Sequence, residues 1–170
     1  MIGWRLAPRR HAAVLDGAGN RDRGARWNSG RGRGVVYASL NVATCVLETF
    51  VHFGANLRAR LPVNLMLVEI QVPDDAGVLR IEPGEIPADA DLRGSDGRTW
   101  YQRAGDAWLE SAEALLLLAP SLVVPKEWNA MLNPAHPCMA GITIVASGPF
   151  RFDPRMATGR LGSNLHRRSP

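Results

Sequence analysis

The residues best suited to chemistry in this sequence are polar side chains that stand in apolar surroundings. Glu48 lies between Leu47 and Phe50 and is the only acid of a helix predicted over residues 41–54. A carboxylate that faces a core is unfavourable unless it is paired or lines a cleft. Glu48 is therefore either a site residue or part of the solvated face of this helix.

Three further segments offer polar groups for the same site. Arg26 opens an Arg-Trp-Asn sequence that ends at Asn28 in a glycine-rich loop, where its guanidinium could grip a phosphate through two hydrogen bonds or point to water. Tyr37 lies in the middle of a short apolar strand, where its ring could fill the core or stack on a base. Ser121 follows Pro120, a position where serine usually caps a turn.

Other common sites have no support in the sequence. It contains neither the phosphate-binding glycine loop that ends in Lys-Ser/Thr nor a zinc-protease His-Glu-x-x-His motif. The four histidines are scattered, and the two cysteines, Cys45 and Cys138, have no partner at metal-binding spacing. We therefore expect no metal ion.

The elements that must position these residues alternate without the regular βαβ order of a parallel sheet, which indicates an α+β fold. A helix capped by Asn41 is predicted to end at Gly54, because Asn favours the N-cap and Gly the residue after a helix. A second, short helix is predicted over 110–118. The predicted strands cover 35–39, 65–72, 121–124 and 142–146, and the segments 17–34 and 76–107 are predicted to be loop and irregular structure.

Composition supports a single compact domain. The chain has 170 residues, of which 46% are hydrophobic and 21% charged, values close to those of globular proteins. No apolar run approaches the roughly 20 residues that span a bilayer, and the N-terminus lacks the apolar stretch of a secretory signal. The expected location is the cytoplasm, with no membrane partner.

Positive charge is concentrated at the two ends of the chain. Residues 1–34 carry a net charge of +6, residues 155–170 carry +4, and the middle of the chain carries −6. An anionic small molecule, an acidic partner or nucleic acid would each suit this distribution. The chain has only two Tyr and four Phe, which disfavours stacking on single-stranded nucleic acid, so no direct nucleic-acid partner is expected.

Six separated motifs resemble the RES domain in order and spacing. That family takes its name from an Arg, a Glu and a Ser, which by this resemblance are Arg26, Glu48 and Ser121. The resemblance covers about residues 4–156, so we assign 1–156 to a RES domain and 157–170 to a basic, flexible tail; the segment 76–107 matches only loosely. The motifs lie in Gly24–Ser29, Val36–Ser39, Leu47–His52, Pro120–Pro125, Asn129–Pro137 and Phe152–Arg155.

The resemblance implies a bacterial toxin that depletes NAD, a fold similar to that of ADP-ribosyltransferases, and an Xre-type antitoxin as partner. NAD is then the substrate. Glu48 would stabilise the ribosyl cation that forms when nicotinamide leaves, and Arg26 would bind the pyrophosphate. Tyr37 would stack on nicotinamide, Ser121 would bind the ribose or the carboxamide, and Asn28 would belong to the same NAD-binding set.

The sequence leaves several alternatives open. The acceptor of ADP-ribose could be water or phosphate, and the same site would serve a transferase that modifies a protein or nucleic acid. An RNA-cleaving toxin and a non-catalytic binding module are rivals from other classes. Whether the chain forms homo-oligomers is also undecided at this stage.

Overall fold

One mixed β-sheet organises the chain in a computed structural model that describes residues 1–53 and 61–156. Its seven strands lie in the order β4-β5-β6-β2-β1-β3-β7, and every neighbouring pair is antiparallel except β4 with β5. The strands are β1 (Ile2–Pro8), β2 (Val36–Ser39), β3 (Leu65–Gln71), β4 (Val78–Arg80), β5 (Leu116–Pro120), β6 (Trp128–Leu132) and β7 (Thr143–Phe150). The helices that bear on the site are α1 (Val42–Phe53) and α2 (Trp100–Ser111).

The two faces of the sheet bury different cores, because successive residues of a strand point to opposite sides. A first core contains Val36 and Leu132, together with other side chains on the same face. A second core contains Leu117 and Met131, and it is completed by aromatic residues of the loop before β2 and of α2, including Trp27. Because β5 is buried on both faces, this strand contributes side chains to both cores.

The helix starts follow from side-chain caps. The Asn41 side-chain oxygen accepts hydrogen bonds from the backbone N–H groups of Ala43 and Thr44, as its N-cap role predicts. At α2, Thr99 and Gln102 form a reciprocal capping box in which each side chain bonds the backbone of the other. No helix in residues 1–53 or 61–156 has the length and apolarity to cross a membrane.

The α+β class is confirmed, as are the helix after Asn41 and the strands predicted over 35–39, 65–72 and 142–146, with the last extending to Phe150. The strands β1 and β6 were not predicted, and the segment 76–107 is not irregular throughout, because α2 begins at Trp100. The predicted helix stop at Gly54 and the predicted tail 157–170 lie outside the described residues.

Two predicted elements are wrong, and both errors fall around β5. The segment 110–118 is not a helix, because α2 ends at Ser111 and β5 begins at Leu116. A short apolar run buried on both faces has no alternation that distinguishes a strand from a helix. The segment 121–124 is not a strand but the first part of a tight turn between β5 and β6.

Candidate active site

The carboxylate of Glu48 on α1 is held by two side chains, one from the turn after β5 and one from β6. Its Oε1 accepts hydrogen bonds from Ser121 Oγ at 2.7 Å and from Asn129 Nδ2 at 2.6 Å. Within the described ranges, no hydrogen bond reaches the other oxygen, Oε2. Glu48 is half-buried, so one oxygen is fixed by the protein while the second can accept hydrogen bonds from a ligand.

The hydroxyl of Ser121 is oriented by the turn that it caps. Ser121 Oγ accepts hydrogen bonds from the backbone N–H groups of Val123 at 3.1 Å and Val124 at 2.8 Å. A serine hydroxyl has two acceptor positions and one donor hydrogen. With both acceptor positions used by the turn, the remaining hydrogen points to Glu48.

Asn129 is a site residue that the sequence reasoning missed. Its side-chain Oδ1 accepts a hydrogen bond from Ser39 Oγ at 2.8 Å, which fixes the amide so that its N–H group faces Glu48. Ser39 and Asn129 are directly opposite each other on β2 and β6. The signal was available, because both residues lie within the family motifs, but neither stood in an unusual apolar setting.

A second cluster holds the loop that carries Arg26. The Tyr37 hydroxyl accepts a hydrogen bond from the backbone N–H of Trp27 at 3.0 Å and donates one to Asn28 Oδ1 at 3.2 Å. Asn28 is fully buried, and its amide N–H group reaches the backbone oxygens of Asn20 and Arg33. Burial raises the pKa of Tyr37 well above its usual range, so this hydroxyl stays protonated and keeps its donor.

Helix α2 fixes the same loop from the outside. Gln102 donates to the Ala25 carbonyl at 3.1 Å, and the buried carboxylate of Asp106 accepts from the Ser29 backbone N–H at 2.9 Å. At Gly105 a Cβ atom would lie only 1.8 Å from the Trp27 carbonyl oxygen, so α2 and the loop touch backbone to backbone. The loop that carries Arg26 is therefore fixed against α2 along its backbone.

The guanidinium of Arg26 lies outside the Tyr37 cluster. It donates to Asp91 Oδ1 at 2.7 Å and lies over the ring of Tyr101, 5.0 Å from the ring centroid. Both partners of the ion pair are exposed, at 46% for Arg26 and 74% for Asp91. Such an exposed pair contributes little stability, so the guanidinium can exchange Asp91 for another anion.

The sequence-predicted residues thus form two groups on one face of the sheet. Glu48 and Ser121 are in direct contact, and Tyr37 and Asn28 are in direct contact with each other. Tyr37 and Ser39 lie two residues apart on β2 and therefore point to the same side, which connects the groups. Together they offer an oriented carboxylate, a half-exposed arginine and a loop fixed against α2, features that suit a ligand with both an anionic and an electron-poor part.

Comparison with known proteins adds sequence and fold relationships. The profile of the family described as RES domain matches residues 2–153. A Sphingobium sp. (strain YBL2) protein named Prs ADP-ribosylating toxin is 39% identical over 158 residues, which cover 90% of this chain and 94% of that protein. A Yersinia enterocolitica protein named Toxin Res is 31% identical over 161 residues, covering 92% of this chain and 99% of the relative.

A solved structure shares the fold. A chain in the crystal structure of the M. tuberculosis MbcT-MbcA toxin-antitoxin complex superposes with a TM-score of 0.65 at 19% identity, covering 88% of this chain and 83% of that one. At this identity the likeness concerns the fold alone.

Proposed function

The chain belongs to the RES domain family, and from that premise we propose that it is the toxin of a bacterial toxin–antitoxin pair that binds NAD and breaks the bond between nicotinamide and ribose. The observation that carries the proposal is the Glu48 carboxylate, with Oε1 fixed by Ser121 and Asn129 and Oε2 open. Curated relatives named as toxins support the biological role.

The proposed chemistry needs a fixed negative charge more than a strong acid. When the bond between C1′ and the pyridinium nitrogen breaks, its electron pair stays on nitrogen and nicotinamide leaves as a neutral molecule. The ribose then carries the positive charge, which a preorganised carboxylate stabilises. An acceptor oxygen bonds to C1′ and releases its proton, and water or inorganic phosphate would each supply that oxygen.

The other site residues divide into direct and supporting roles in this proposal. Arg26 exchanges its exposed pairing with Asp91 for the NAD pyrophosphate, to which a planar guanidinium can donate two parallel hydrogen bonds. Tyr37 and Asn28 use their polar groups inside the protein, so they serve NAD binding by holding the loop that carries Arg26.

A nicotinamide-release assay tests the proposal. The purified chain is incubated with NAD⁺, with and without phosphate, and nicotinamide, ADP-ribose and ADP-ribose phosphate are separated by chromatography. We expect release by the wild type and by Glu113→Gln, an exposed control carboxylate, and a loss of at least about a hundredfold in Glu48→Gln. Release by Glu48→Gln at the wild-type rate would refute the role of this carboxylate.

A second candidate function is transfer of ADP-ribose to a protein, which the 39%-identical relative named Prs ADP-ribosylating toxin favours. The same carboxylate would serve, and only the acceptor would differ. NAD⁺ labelled in its adenylate part, incubated with the chain and purified Prs, separates the two functions. Label on Prs identifies the transferase, whereas label only in free ADP-ribose or its phosphate identifies the NAD-degrading enzyme.

We further propose a cytoplasmic toxin neutralised by an Xre-type antitoxin that covers the cleft. Induction of the chain alone in bacteria should arrest growth, and co-expression of the antitoxin encoded beside it should restore growth. Glu48→Gln is the matched control, because it keeps the surface while losing the charge. Growth that continues with soluble, active enzyme present would contradict the toxin role.

A further inference from the structure

A row of side chains extends the Glu48 site across the sheet to two residues without an assigned role. Ser39 is opposite Asn129 on one side and opposite Trp4 on the other, and Trp4 is in turn opposite Glu69 on β3. Side chains of directly opposed antiparallel residues share a face, with Cβ atoms about 4.5–5.5 Å apart. Trp4 and Glu69 therefore continue the surface on which Asn129 holds Glu48.

The side chains of Trp4 and Glu69 contribute neither to a hydrophobic core nor to a hydrogen bond or ion pair among the described residues. Trp4 is half-buried and belongs to neither core among the described residues. Glu69 is half-buried as well, and no hydrogen bond or ion pair joins its carboxylate to any residue that the structure describes. The pairing of β3 with β7 shifts register between Glu69 and Ile70, an irregularity of the type that re-aims side chains beside functional sites.

The chemistry of this pair selects one kind of ligand group. The face of an indole ring attracts cations, and tryptophan is the strongest of the aromatic side chains in this respect. A half-buried carboxylate without a partner gains most from a cation that replaces its lost water. A flat, positively charged ring satisfies both, because it can stack on Trp4 while its charge faces Glu69.

We propose that Trp4 and Glu69 form a subsite for the cationic nicotinamide ring of NAD⁺ and make the chain select NAD⁺ over NADH. This inference rests on the proposed function, since the ribose must lie at Glu48 for the ring to reach Trp4. The oxidised ring is a pyridinium cation, whereas the reduced ring is neutral and puckered. The subsite therefore recognises the redox state of the cofactor, which the pyrophosphate-binding Arg26 does not distinguish.

The subsite acts on binding more than on the chemical step. As the bond to C1′ breaks, the positive charge moves from the ring to the ribose, so the interaction with Glu69 weakens along the reaction. Loss of the subsite should therefore raise both KM and kcat while changing kcat/KM little, in contrast to loss of Glu48, which lowers kcat. The neutral product has little affinity for the pair and leaves readily.

Calorimetry with NAD⁺ and NADH tests the subsite on a full-length Glu48→Gln background, which prevents turnover. Glu69→Gln keeps the shape and removes the charge, and Trp4→Leu keeps an apolar side chain and removes the aromatic face. We expect each change to weaken NAD⁺ binding about threefold to thirtyfold and to change NADH binding less than twofold. Glu113→Gln on the same background serves as the control and should affect neither ligand.

The outcomes separate this inference from the function on which it rests. If the background protein binds NAD⁺ but Glu69→Gln leaves the ratio of NAD⁺ to NADH affinity unchanged, the subsite is refuted and the proposed function stands. Equal losses for both ligands also refute it, because they indicate shape and not charge. If the background protein binds neither dinucleotide, both proposals fall. Should Trp4→Leu not fold, the isosteric Glu69→Gln decides alone.

Discussion

Ser121 and Glu48 are joined by a hydrogen bond of 2.7 Å although 73 residues separate them in the chain. One lies in the turn after β5 and the other on α1, so the packing of α1 against the sheet fixes their distance. The orientation of the Glu48 carboxylate therefore depends on how α1 packs against the sheet, and not on any local sequence motif.

Removing either donor to Glu48 should impair turnover without removing the carboxylate. We expect Ser121→Ala and Asn129→Ala each to lower kcat about tenfold to a hundredfold, since a preorganised hydrogen bond to a charged group contributes about 1.5–3 kcal/mol. The double variant should lose less than the product of the two, because both donors serve one oxygen. Ser121→Thr, which retains a hydroxyl, should recover most of the activity; if it behaves like Ser121→Ala, the hydroxyl is not the operative group.

Arg26→Lys should weaken NAD⁺ binding although the charge is retained. A lysine presents one ammonium group and loses the planar pair of donors that fits a pyrophosphate. Calorimetry on the Glu48→Gln background should show a clear rise in Kd, while Asp91→Asn, which frees Arg26 from its ion pair, should leave binding equal or tighter. An unchanged affinity in Arg26→Lys would mean that the guanidinium does not contact the ligand.

Tyr37→Phe should act first on stability and through it on NAD⁺ binding. The change leaves the Trp27 N–H and the buried Asn28 oxygen without their partner, at a cost of about 1–3 kcal/mol. Urea unfolding measures this directly. Tyr101→Phe is the matched control, because the Tyr101 hydroxyl makes no hydrogen bond within residues 1–53 and 61–156, and a comparable loss there would argue against this explanation.

Neutralising Arg31 and Arg33 should matter only at low ionic strength. They precede Val35, the residue before β2, while Ser39 and the Glu48 carboxylate are at the far end of β2. Four residues of extended chain separate Val35 from Ser39 by about 13 Å. This exceeds the Debye length of about 8 Å at physiological salt. The double Gln variant should show reduced kcat/KM in dilute buffer and normal kcat/KM at 0.15 M salt; a salt-independent loss would mean direct contact or structural damage.

Alkaline pH should destabilise the fold through Cys45. Burial raises the pKa of its thiol to about 11, whereas in the unfolded chain it is about 8.5. Between these values the unfolded state loses the proton first, so the free energy of unfolding falls by about 1.4 kcal/mol per pH unit. Cys45→Ser should flatten this decline in urea titrations from pH 8.5 to 10, and the exposed Cys138→Ser should not.

The sequence predicted a site residue or a helix start correctly where a single residue stood in an unusual environment or could cap a helix. Glu48 stood out as an acid among apolar neighbours, and Asn41 marked the start of α1. Asn129 and Ser39 did not stand out, because their importance comes from a cross-strand pairing that joins residues 90 positions apart. The wrong predictions around β5 also come from tertiary structure. A strand that is buried on both faces has no alternation of apolar and polar residues that would identify it in the sequence.

The helix α2 was not predicted from the sequence for a different reason. Its apolar positions are interrupted by polar residues such as Asp106 and Arg103, which the fold uses to bind neighbouring loops. The capping pair Thr99 and Gln102 was the readable signal. Its low overall hydrophobicity concealed a helix whose polar residues are committed to internal contacts.

The pairing order of the sheet has a consequence for the timing of activity during synthesis. The strand β2 pairs with β1 and with β6, so its second edge stays open until residues 128–132 have left the ribosome. The same segment brings Asn129, and Ser121 precedes it by only eight positions. A nascent chain therefore carries Glu48 long before anything orients it. The oriented carboxylate therefore cannot form before this segment has emerged, which leaves an interval in which a partner already present can meet the emerging chain.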